Sequence, residues 1–473
     1  MGKYDSAAAL RRRRKHLAAC VAAIFGVAAH GAFANVTVLN CNDAGAGSLR
    51  AAVAAAADGD VVDMTGLTSA SPGCSSSTIT LRTGDIVVAQ NNLNIAGPGA
   101  NKLVITGKYG SFPSATIEPY RLFTHTGTGQ LEISGVTLSK GYAKASSAIG
   151  GCIASSGNVY LYRANIYGCR AVATPSSAVG GAIYSAGFTK LKYSTVSESS
   201  ASAGASGVAG AGGIFAGNGL TMKYSTLTGN SADGPASNNV GSFGAAEVVH
   251  AVSIRHSTIS NNYAAGVVGG LALFGTSTDS VTIRESTISG NRSGTSLVGG
   301  MYIKSGATVL ANDTIAFNSA ATQSTLGAPG VAIFGGTLDL ESTLIANNYS
   351  GSLPDAGDLA TSGTTITGAN NLVRASVSTL PPDTIRNTCP LLGKLRDNGG
   401  ATQTHALLSR SRGIDEGANP NSDTEDQRSL FNDSAPFPYP RSSGIAPDIG
   451  AYEVQQADII FDTAFEGCVG IEF

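Results

Sequence analysis

One nine-residue phrase recurs along this chain at intervals of about thirty residues, and the period limits the possible folds more than any other feature. The phrase stands as HSTISNNYA from His256, as ESTISGNRS from Glu285 and as YSTLTGNSA from Tyr224. When the copies are aligned on their central apolar residue, successive copies lie 27 to 32 residues apart. The aligned apolar residues are Leu138, Ile166, Val196, Leu227, Ile259, Ile288, Ile315 and Ile345. A fixed period of this length is the signature of a solenoid.

The pattern within each copy predicts strands rather than helices. A second apolar residue precedes the central one by five positions and is flanked by polar residues, as in SIRH at 253–256. This alternation is typical of a short strand with one face inward. No copy has the long helical periodicity that a helical repeat needs. We therefore predict an all-β, right-handed parallel β-helix with coils of about 30 residues, whose stacking buries a column of Ile, Leu and Val.

The composition agrees with a fold rich in strands and turns. The chain has 473 residues with 61 Gly, no Trp and only 13% charged residues, too few to coat many helices. Hydrophobic residues make up 42% of the chain, which is enough to form a buried core.

An asparagine follows the central apolar residue by three positions in five copies. Asn tolerates the left-handed conformation of a sharp corner, and stacked Asn amides can bond to one another. We expect this residue to turn the corner and to form a ladder along the solenoid. His256, at a position that is Tyr or Glu in other copies, is expected to be exposed. The predicted ladder consists of Asn230, Asn262, Asn291, Asn318 and Asn348.

The first 34 residues have the pattern of a signal peptide. A basic stretch at 11–15 precedes an apolar stretch at 17–29, and AFA at 32–34 is a cleavage signal. Removal of this segment takes away six of the 30 basic and one of the 32 acidic residues, which leaves a net charge of −7. This balance argues against nucleic acid as a partner. We expect a secreted or cell-surface protein with no transmembrane segment after signal removal.

Six cysteines follow the signal segment, and an even number in an exported chain predicts disulfides. Cys152 and Cys169 belong to one coil, where Cys169 replaces the ladder asparagine. Cys41 with Cys74 is the next predicted pair, and Cys389 with Cys468 remains by elimination. No C-x-x-C pair is present, so we predict no metal site and no cofactor.

Composition and pattern divide the mature chain into four parts. Residues 35–125 contain an amphipathic stretch from Leu49 to Ala57, which predicts a helical cap before the first irregular coils. Residues 126–388 carry the regular coils. Pro, Asp, Arg and Asn become more frequent in 389–453, and a tail occupies 454–473.

The block at 389–453 resembles the choice-of-anchor Q domain of bacterial exported proteins. Its landmarks are PLLG at 390–393, NGGATQTH at 398–405, SRGIDEG at 411–417, DQR at 426–428 and DIGAYE at 448–453. Ser429 departs from the pattern, where many members have Gly. The resemblance implies an exported β-helix with a surface-sorting tail and no established catalytic residues. The repeats are also similar to those of polymorphic outer-membrane proteins.

Two groups of charged residues are candidates for chemistry. A glycoside hydrolase needs two or three carboxylates within about 5–9 Å. Asp339 and Glu341 flank an inward-pointing leucine and are expected to face outward together, with Asp313 one coil earlier. A second group is expected to form a buried or edge-capping salt-bridge network at the end of the solenoid rather than a catalytic site. It consists of His405, Asp415, Asp426, Arg428, Asp448 and Glu453.

The carboxylates in the repeats are expected to form a solvated face, so the sequence favours a non-catalytic β-helix that acts in adhesion or in binding a glycan or another surface. Its candidate partner is a polysaccharide or a cell-surface component. Two alternatives stay open: a polysaccharide-degrading enzyme resembling pectate lyases or polygalacturonases, and an autotransporter-like passenger. Tyrosine rings pack well against sugars. The candidate binding residues, which lie on neighbouring coils, are Tyr160, Tyr162, Tyr193 and Tyr224.

Overall fold

The computed structural model describes residues 34–107, 120–204, 207–234, 241–295, 298–321, 328–351, 357–429 and 439–455. Within them the chain forms a parallel β-helix, so the predicted fold class is confirmed. Each strand pairs in parallel with the equivalent strand of the next coil, as Ile153–Ser155 does with Ile183–Ser185. No described helix is long and apolar enough to cross a bilayer.

One coil contains up to four strands, which stack on the same strands of other coils and form four rows. In chain order, one such coil comprises Ile153–Ser155, Asn158–Tyr162, Asn165–Tyr167 and Arg170–Ala173. We call the corresponding stacks rows 1 to 4. Rows 1 and 2 belong to one bent sheet, while rows 3 and 4 form separate sheets.

The strands of each row are as follows. Row 1 contains Ile86–Val88, Phe123–His125, Ile153–Ser155, Ile183–Ser185, Ile214–Ala216, Ala246–Val248, Leu271–Leu273 and Met301–Ile303. Row 2 contains Asn35–Thr37, Val61–Asp63, Leu93–Ala96, Gln130–Ser134, Asn158–Tyr162, Phe188–Lys192, Gly219–Lys223, Ala251–Arg255, Ser280–Arg284 and Ala307–Ala311. Val331–Glu341 and Leu359–Ala369 each span rows 1 and 2.

The remaining strands complete the coils. Row 3 contains Thr78–Thr80, Val104–Thr106, Thr137–Ser139, Asn165–Tyr167, Thr195–Ser197, Thr226–Thr228, Thr258–Ser260, Thr287–Ser289, Thr314–Ala316, Leu344–Ala346 and Leu372–Val373. Row 4 contains Tyr142–Ala145, Arg170–Ala173, Ser200–Ala203, Ser231–Asp233, Tyr263–Ala264, Arg292–Ser293, Ser319–Ala320 and Tyr349–Ser350. A further short pair joins Ala148–Ile149 and Ala178–Val179.

The core is the column of apolar residues that the repeat predicts. All eight aligned residues, from Leu138 to Ile345, are at most 1% exposed. Their partners five positions earlier are equally buried, as Ile254 and Leu310 illustrate. Because strands of a sheet lie about 4.8 Å apart, each inward side chain packs on its equivalents in the coils on either side. No coil therefore encloses a core by itself.

The five asparagines form a continuous ladder inside the coils. The Nδ2 group of each donates to the Oδ1 atom of the next at 2.9–3.0 Å, and the last, Asn348, donates to Asp358 at 2.8 Å. Each Oδ1 atom also accepts the backbone N–H of the preceding ladder residue. The ladder thus satisfies polar groups that burial cuts off from water.

The prediction that these asparagines adopt the left-handed conformation is wrong. The left-handed residue is the one before each ladder position, for example Gly229, Asn261 and Phe317, with φ of 66°, 55° and 59°. The ladder residue itself is needed for its amide, which reaches both neighbouring coils. Conformation and hydrogen bonding are therefore divided between two adjacent residues.

A second series of left-handed residues lies between rows 2 and 3, and we call them the corner residues. Their φ angles fall between 46° and 57°. They are Arg163, Tyr193, Tyr224, His256, Glu285, Asn312, Ser342 and Asn370. Since the side chains of this series point out of the coil, the corner residues form a line along its outside.

The N-terminal end is covered as the sequence predicts. Helix α1, Leu49–Ala55, begins after Ser48, whose hydroxyl accepts the N–H of Ala51 at 3.2 Å. The helix buries one face against the first strands through Leu49, Ala52 and Val53.

The predicted disulfides Cys41–Cys74 and Cys152–Cys169 are present. Cys389 is also disulfide-bonded, but its expected partner Cys468 lies outside the described residues.

We call residues 389–429 and 439–455 the C-terminal segment. The prediction that this segment caps the end of the β-helix is wrong. The segment lies along the side of the β-helix against the corner residues and row 3. His256 contacts the carbonyl oxygen of Asp426 at 3.1 Å, and Arg441 pairs with Glu285 at 3.4 Å. Other corner contacts join Tyr224 to Ser429 (3.3 Å), Asn312 to Ala418 O (3.0 Å), Ser342 to Ala418 N (2.6 Å) and Asn370 to Glu416 O (3.3 Å).

His256 is accordingly buried, with 3% exposure, and the prediction that it is exposed is wrong. Its Nε2 atom accepts from Nε of Arg255 at 3.0 Å, which leaves the Nδ1 proton to donate to Asp426. Burial lowers the pKa of His256 to about 3, so the ring is neutral at pH 7. The repeat hides this role, because the covering residues lie 170 positions away.

The ladder gives a stability prediction. Asn291→Ala removes donors and acceptors that serve Asn262, Asn318 and Ile259, and leaves their buried partners unsatisfied. We expect the free energy of unfolding, measured by urea denaturation, to fall by about 2–4 kcal/mol. Asn165→Ala, at an exposed position of row 3, is the control and should cost less than about 0.5 kcal/mol. Equal stability of the two variants would contradict the role of the ladder.

Candidate functional site

The structure does not bring the three candidate catalytic carboxylates together. Asp339 and Glu341 lie on the outer side of row 2 as expected, and Asp339 accepts a hydrogen bond from Thr367 at 3.1 Å. Asp313 is fully buried, so the prediction that it joins them is wrong. Its Oδ1 and Oδ2 atoms accept the N–H groups of Ser286 and Ala311 at 2.9 and 3.1 Å.

Asp313 belongs instead to a second ladder that runs beside the corner residues. Ser257 and Ser286 accept the backbone N–H of the preceding coil through their hydroxyl groups, each at 3.2 Å. Asp313 does the same through its carboxylate, and Thr343 continues the series at 3.3 Å. Asp313 is therefore a structural residue at a position where other coils have Ser or Thr.

The four candidate tyrosines do lie side by side on consecutive coils. The ring centroids of Tyr162 and Tyr193 are 6.3 Å apart, and those of Tyr193 and Tyr224 are 4.7 Å apart in a parallel stack. Tyr224 is 5% exposed, because the C-terminal segment covers it. Tyr160, Tyr162 and Tyr193 are half-buried and remain on the surface.

The faces of these rings are occupied by cations and by one another. Nζ of Lys190 lies 4.7 Å from the ring centroid of Tyr160, and Arg163 lies 5.2 Å from that of Tyr162. Lys223 is placed similarly over Tyr224, at 4.8 Å. Such contacts stabilise a cation at a fixed position on the surface. The geometry thus presents positive charges held on rings, rather than bare ring faces on which sugars could stack.

One of these cations, Lys223, belongs to a line of basic residues that is absent from the sites predicted from the sequence. Lys192, Lys223, Arg255 and Arg284 occupy the same register position on four neighbouring strands of row 2, and we call them the basic row. Their Cα atoms are spaced by the strand separation of about 4.8 Å. Each follows the inward apolar residue of its repeat, so a comparison of that one position across the copies would have revealed it.

Among the described residues, the basic row forms an ion pair at Arg255, the third of its four members. Arg255 forms an ion pair with Asp423 of the C-terminal segment. In the part of the chain that the structure describes, no carboxylate lies within ion-pair distance of Lys192 or Lys223. Like charges on adjacent strands repel, so this surface favours a bound anion.

The second charged group is a buried network inside the C-terminal segment, as expected, although its place is not the end of the β-helix. Asp426 and Arg428 pair at 2.7 Å, and both side chains are fully buried. The backbone N–H of Glu453 donates to Asp426 at 2.9 Å, and burial raises the pKa of Glu453 to about 7. Asp448 joins through Glu453, which accepts its N–H at 2.7 Å.

The other two members of this group serve the fold separately. His405 links the segment to row 3, since its two ring nitrogens lie 2.7 Å from Ser289 Oγ and from the carbonyl oxygen of Gly393. Burial lowers the pKa of His405 to about 4. Asp415 accepts the N–H of Ile445 at 2.8 Å. These contacts give both residues a structural role within the C-terminal segment and at its contact with row 3.

One further carboxyl group stands out on the outer side of row 1. Glu247 lies between Phe215 and Ala272 in the strand register, beside the stacked rings of Tyr184 and Phe215, whose centroids are 4.9 Å apart. Burial alone raises the pKa of Glu247 to about 7.

In the described ranges, no group of three His, Cys, Asp or Glu side chains is placed to hold a metal ion.

Comparison with known proteins gives little beyond the fold. No protein family and no curated protein matches the chain. Among solved structures, the crystal structure of pectate lyase Pel9A is similar, with a TM-score of 0.44 and 14% sequence identity. The match covers 90% of this chain and 97% of that chain. At this identity, the likeness concerns the fold and says nothing of activity.

Glu247 gives a pH prediction. Its folded pKa of about 7 exceeds the ordinary value of 4.5, so its contribution to stability is full below pH 4.5 and is lost as the pH rises through 7. Because Gln does not titrate, we expect Glu247→Gln to remove this loss. The free energy of unfolding of the variant, relative to that of the wild type, should therefore rise by about 2 kcal/mol between pH 5 and pH 8. Urea unfolding at both pH values measures the difference.

Glu198→Gln is the matched control for this experiment, because Glu198 is an exposed carboxylate on another side of the coil. We expect its stability to follow the wild type at both pH values. The explanation fails if Glu247→Gln loses stability between pH 5 and pH 8 as steeply as the wild type does.

Proposed function

We propose that this protein is an exported, non-catalytic β-helix that binds an acidic polysaccharide along the basic row. The observation that carries the proposal is the alignment of Lys192, Lys223, Arg255 and Arg284 on consecutive strands. Such a line of regularly spaced cations complements a linear polymer with regularly spaced anionic groups. The partner is thus a polyanionic glycan rather than a neutral one.

The tyrosines contribute by holding the cations. Nζ of Lys192 lies 5.6 Å from the ring centroid of Tyr193 and 5.9 Å from that of Tyr162. A lysine held in this way loses less side-chain freedom when an anion binds, which lowers the entropic cost of binding. This is the role that we assign to Tyr162 and Tyr193, in place of direct stacking on sugar, while Tyr160 holds the neighbouring Lys190 in the same way.

A location outside the cytoplasm is part of the proposal. The disulfides Cys41–Cys74 and Cys152–Cys169 suit an oxidising compartment. The signal-like segment at 1–34 and the similarity of 389–453 to the choice-of-anchor Q domain support export and attachment to a surface. The burial of Asp313 supports a non-catalytic role, because it removes one member of the best candidate acid set from the outer side of the β-helix.

The proposal predicts that the double substitution Lys192→Ala, Lys223→Ala weakens binding to polygalacturonate and alginate at least tenfold. The loss follows from removal of two cations that have no carboxylate within ion-pair distance among the described residues. Binding to immobilised polymer, measured at 50 and 300 mM NaCl, should also become less dependent on salt in the variant. Neither polymer should release unsaturated or reducing ends on incubation with the protein.

Lys102→Ala, Lys144→Ala is the matched control, since it removes two exposed lysines elsewhere and keeps the same net charge as the test variant. We expect it to bind as the wild type does. Equal losses in the two variants would show a general charge effect and contradict a site at the basic row. Release of polymer ends by the wild type would contradict the non-catalytic role.

A further inference from the structure

We infer that Asp423 occupies one anion position of the basic row and thereby limits how much of an acidic polymer the row can bind. This inference rests on the proposed function and makes it more specific. A side chain of the protein itself stands where an anionic group of the ligand would bind. Asp423 is therefore a specificity-determining residue for the proposed site.

The contact with Arg255 has the chemistry of a bound ligand carboxylate. Asp423 Oδ1 pairs with Nη2 of Arg255, whose side chain is still 38% exposed, whereas that of Asp423 is 6% exposed. The other oxygen, Oδ2, is buried and has no hydrogen-bond partner among the described residues. The buried carboxylate is thus incompletely satisfied, so its replacement by a neutral side chain should cost the fold little free energy.

Asp423 does not depend on Arg255 for its position. Its backbone N–H donates to Oδ1 of Asn419 at 2.8 Å, and its carbonyl oxygen accepts from Nδ2 of Asn419 at 2.7 Å. This turn presents the side chain to the basic row whether or not the ion pair forms. Removal of the negative charge should therefore leave the backbone in place.

The C-terminal segment also closes the corner side of the row at the same height. Asp426 contacts His256 through its carbonyl oxygen, and Ser429 lies 3.3 Å from Tyr224. Asp423 is the acidic residue of this stretch whose carboxylate contacts the basic row. A polymer that runs along Lys192 and Lys223 would meet like charge when it reaches Arg255. The basic row thus has an open part and a part that the chain itself neutralises.

The substitution Asp423→Asn tests the inference. It keeps the shape of the side chain, removes its charge and frees Arg255 for the ligand. We expect affinity for long-chain polygalacturonate to rise about three- to tenfold at 50 mM NaCl, and its dependence on salt to become steeper, because one more cation takes part. Biolayer interferometry on immobilised polymer measures both quantities.

Two further variants separate this effect from a general change in charge. Asp233→Asn removes an exposed carboxylate on row 4 and should leave the affinity unchanged. In an Arg255→Ala background, Asp423→Asn should give no gain, because the freed cation is absent. A gain that persists without Arg255, or an equal gain in Asp233→Asn, overturns the inference.

The outcomes also distinguish this inference from the function on which it rests. If Lys192→Ala, Lys223→Ala loses binding but Asp423→Asn gains none, the proposed function stands and the inference is wrong. If the wild type binds neither polygalacturonate nor alginate, both are wrong. Circular dichroism of each variant confirms that its strand content equals that of the wild type, so that a change in affinity is a change at the surface.

Discussion

The fold depends on hydrogen bonds that pass from the amide of one coil to the amide of the next. Inside a closed coil, the backbone groups between rows 3 and 4 are cut off from water, and the equivalent residue of the next coil is the available partner. The asparagine ladder meets this need from Asn230 to Asn348. It ends at Asp358, whose carboxylate accepts from Asn348 and from Ala375, and burial raises the pKa of Asp358 to about 7. At the other end, Asn230 accepts from Ser199, and Ser199 accepts from Cys169, which is disulfide-bonded to Cys152.

The sequence is sufficient for this architecture because the inward residues repeat. The spacing of Ile254 and Ile259, copied in each coil, specifies two inward positions, and both are buried in the structure. The cap helix and two disulfides could be predicted for a similar reason, since their residues lie close together in the sequence. Local patterns are informative when the partner of a residue is nearby or is another copy of itself.

The candidate site could be predicted only in part, because its partners are remote in sequence. The residue type of Tyr160 and Tyr162 is enough to propose them, but burial of His256 and Tyr224 depends on a segment that follows 170 and 205 residues later. Asp313 resembles a surface acid by its residue type and is buried in a ladder of Ser and Thr. The basic row cannot be recognised from single residues, because its four members become a group only when the outward positions of the repeat are compared. They are Lys192, Lys223, Arg255 and Arg284.

The corner residues have a consequence for assembly of the chain. In a uniform repeat all coils are equivalent. A segment that packs against the side of such a β-helix would find the same contacts at every position along its length. Tyr224, His256, Glu285, Asn312 and Ser342 differ from one another, and each offers the C-terminal segment a different partner. Together these corner residues allow one alignment of the C-terminal segment. In every shifted alignment, the segment would meet corner residues that do not match its contacts. The differences among the copies therefore specify where along the β-helix the C-terminal segment binds. The residues that are the same in every copy cannot specify this position.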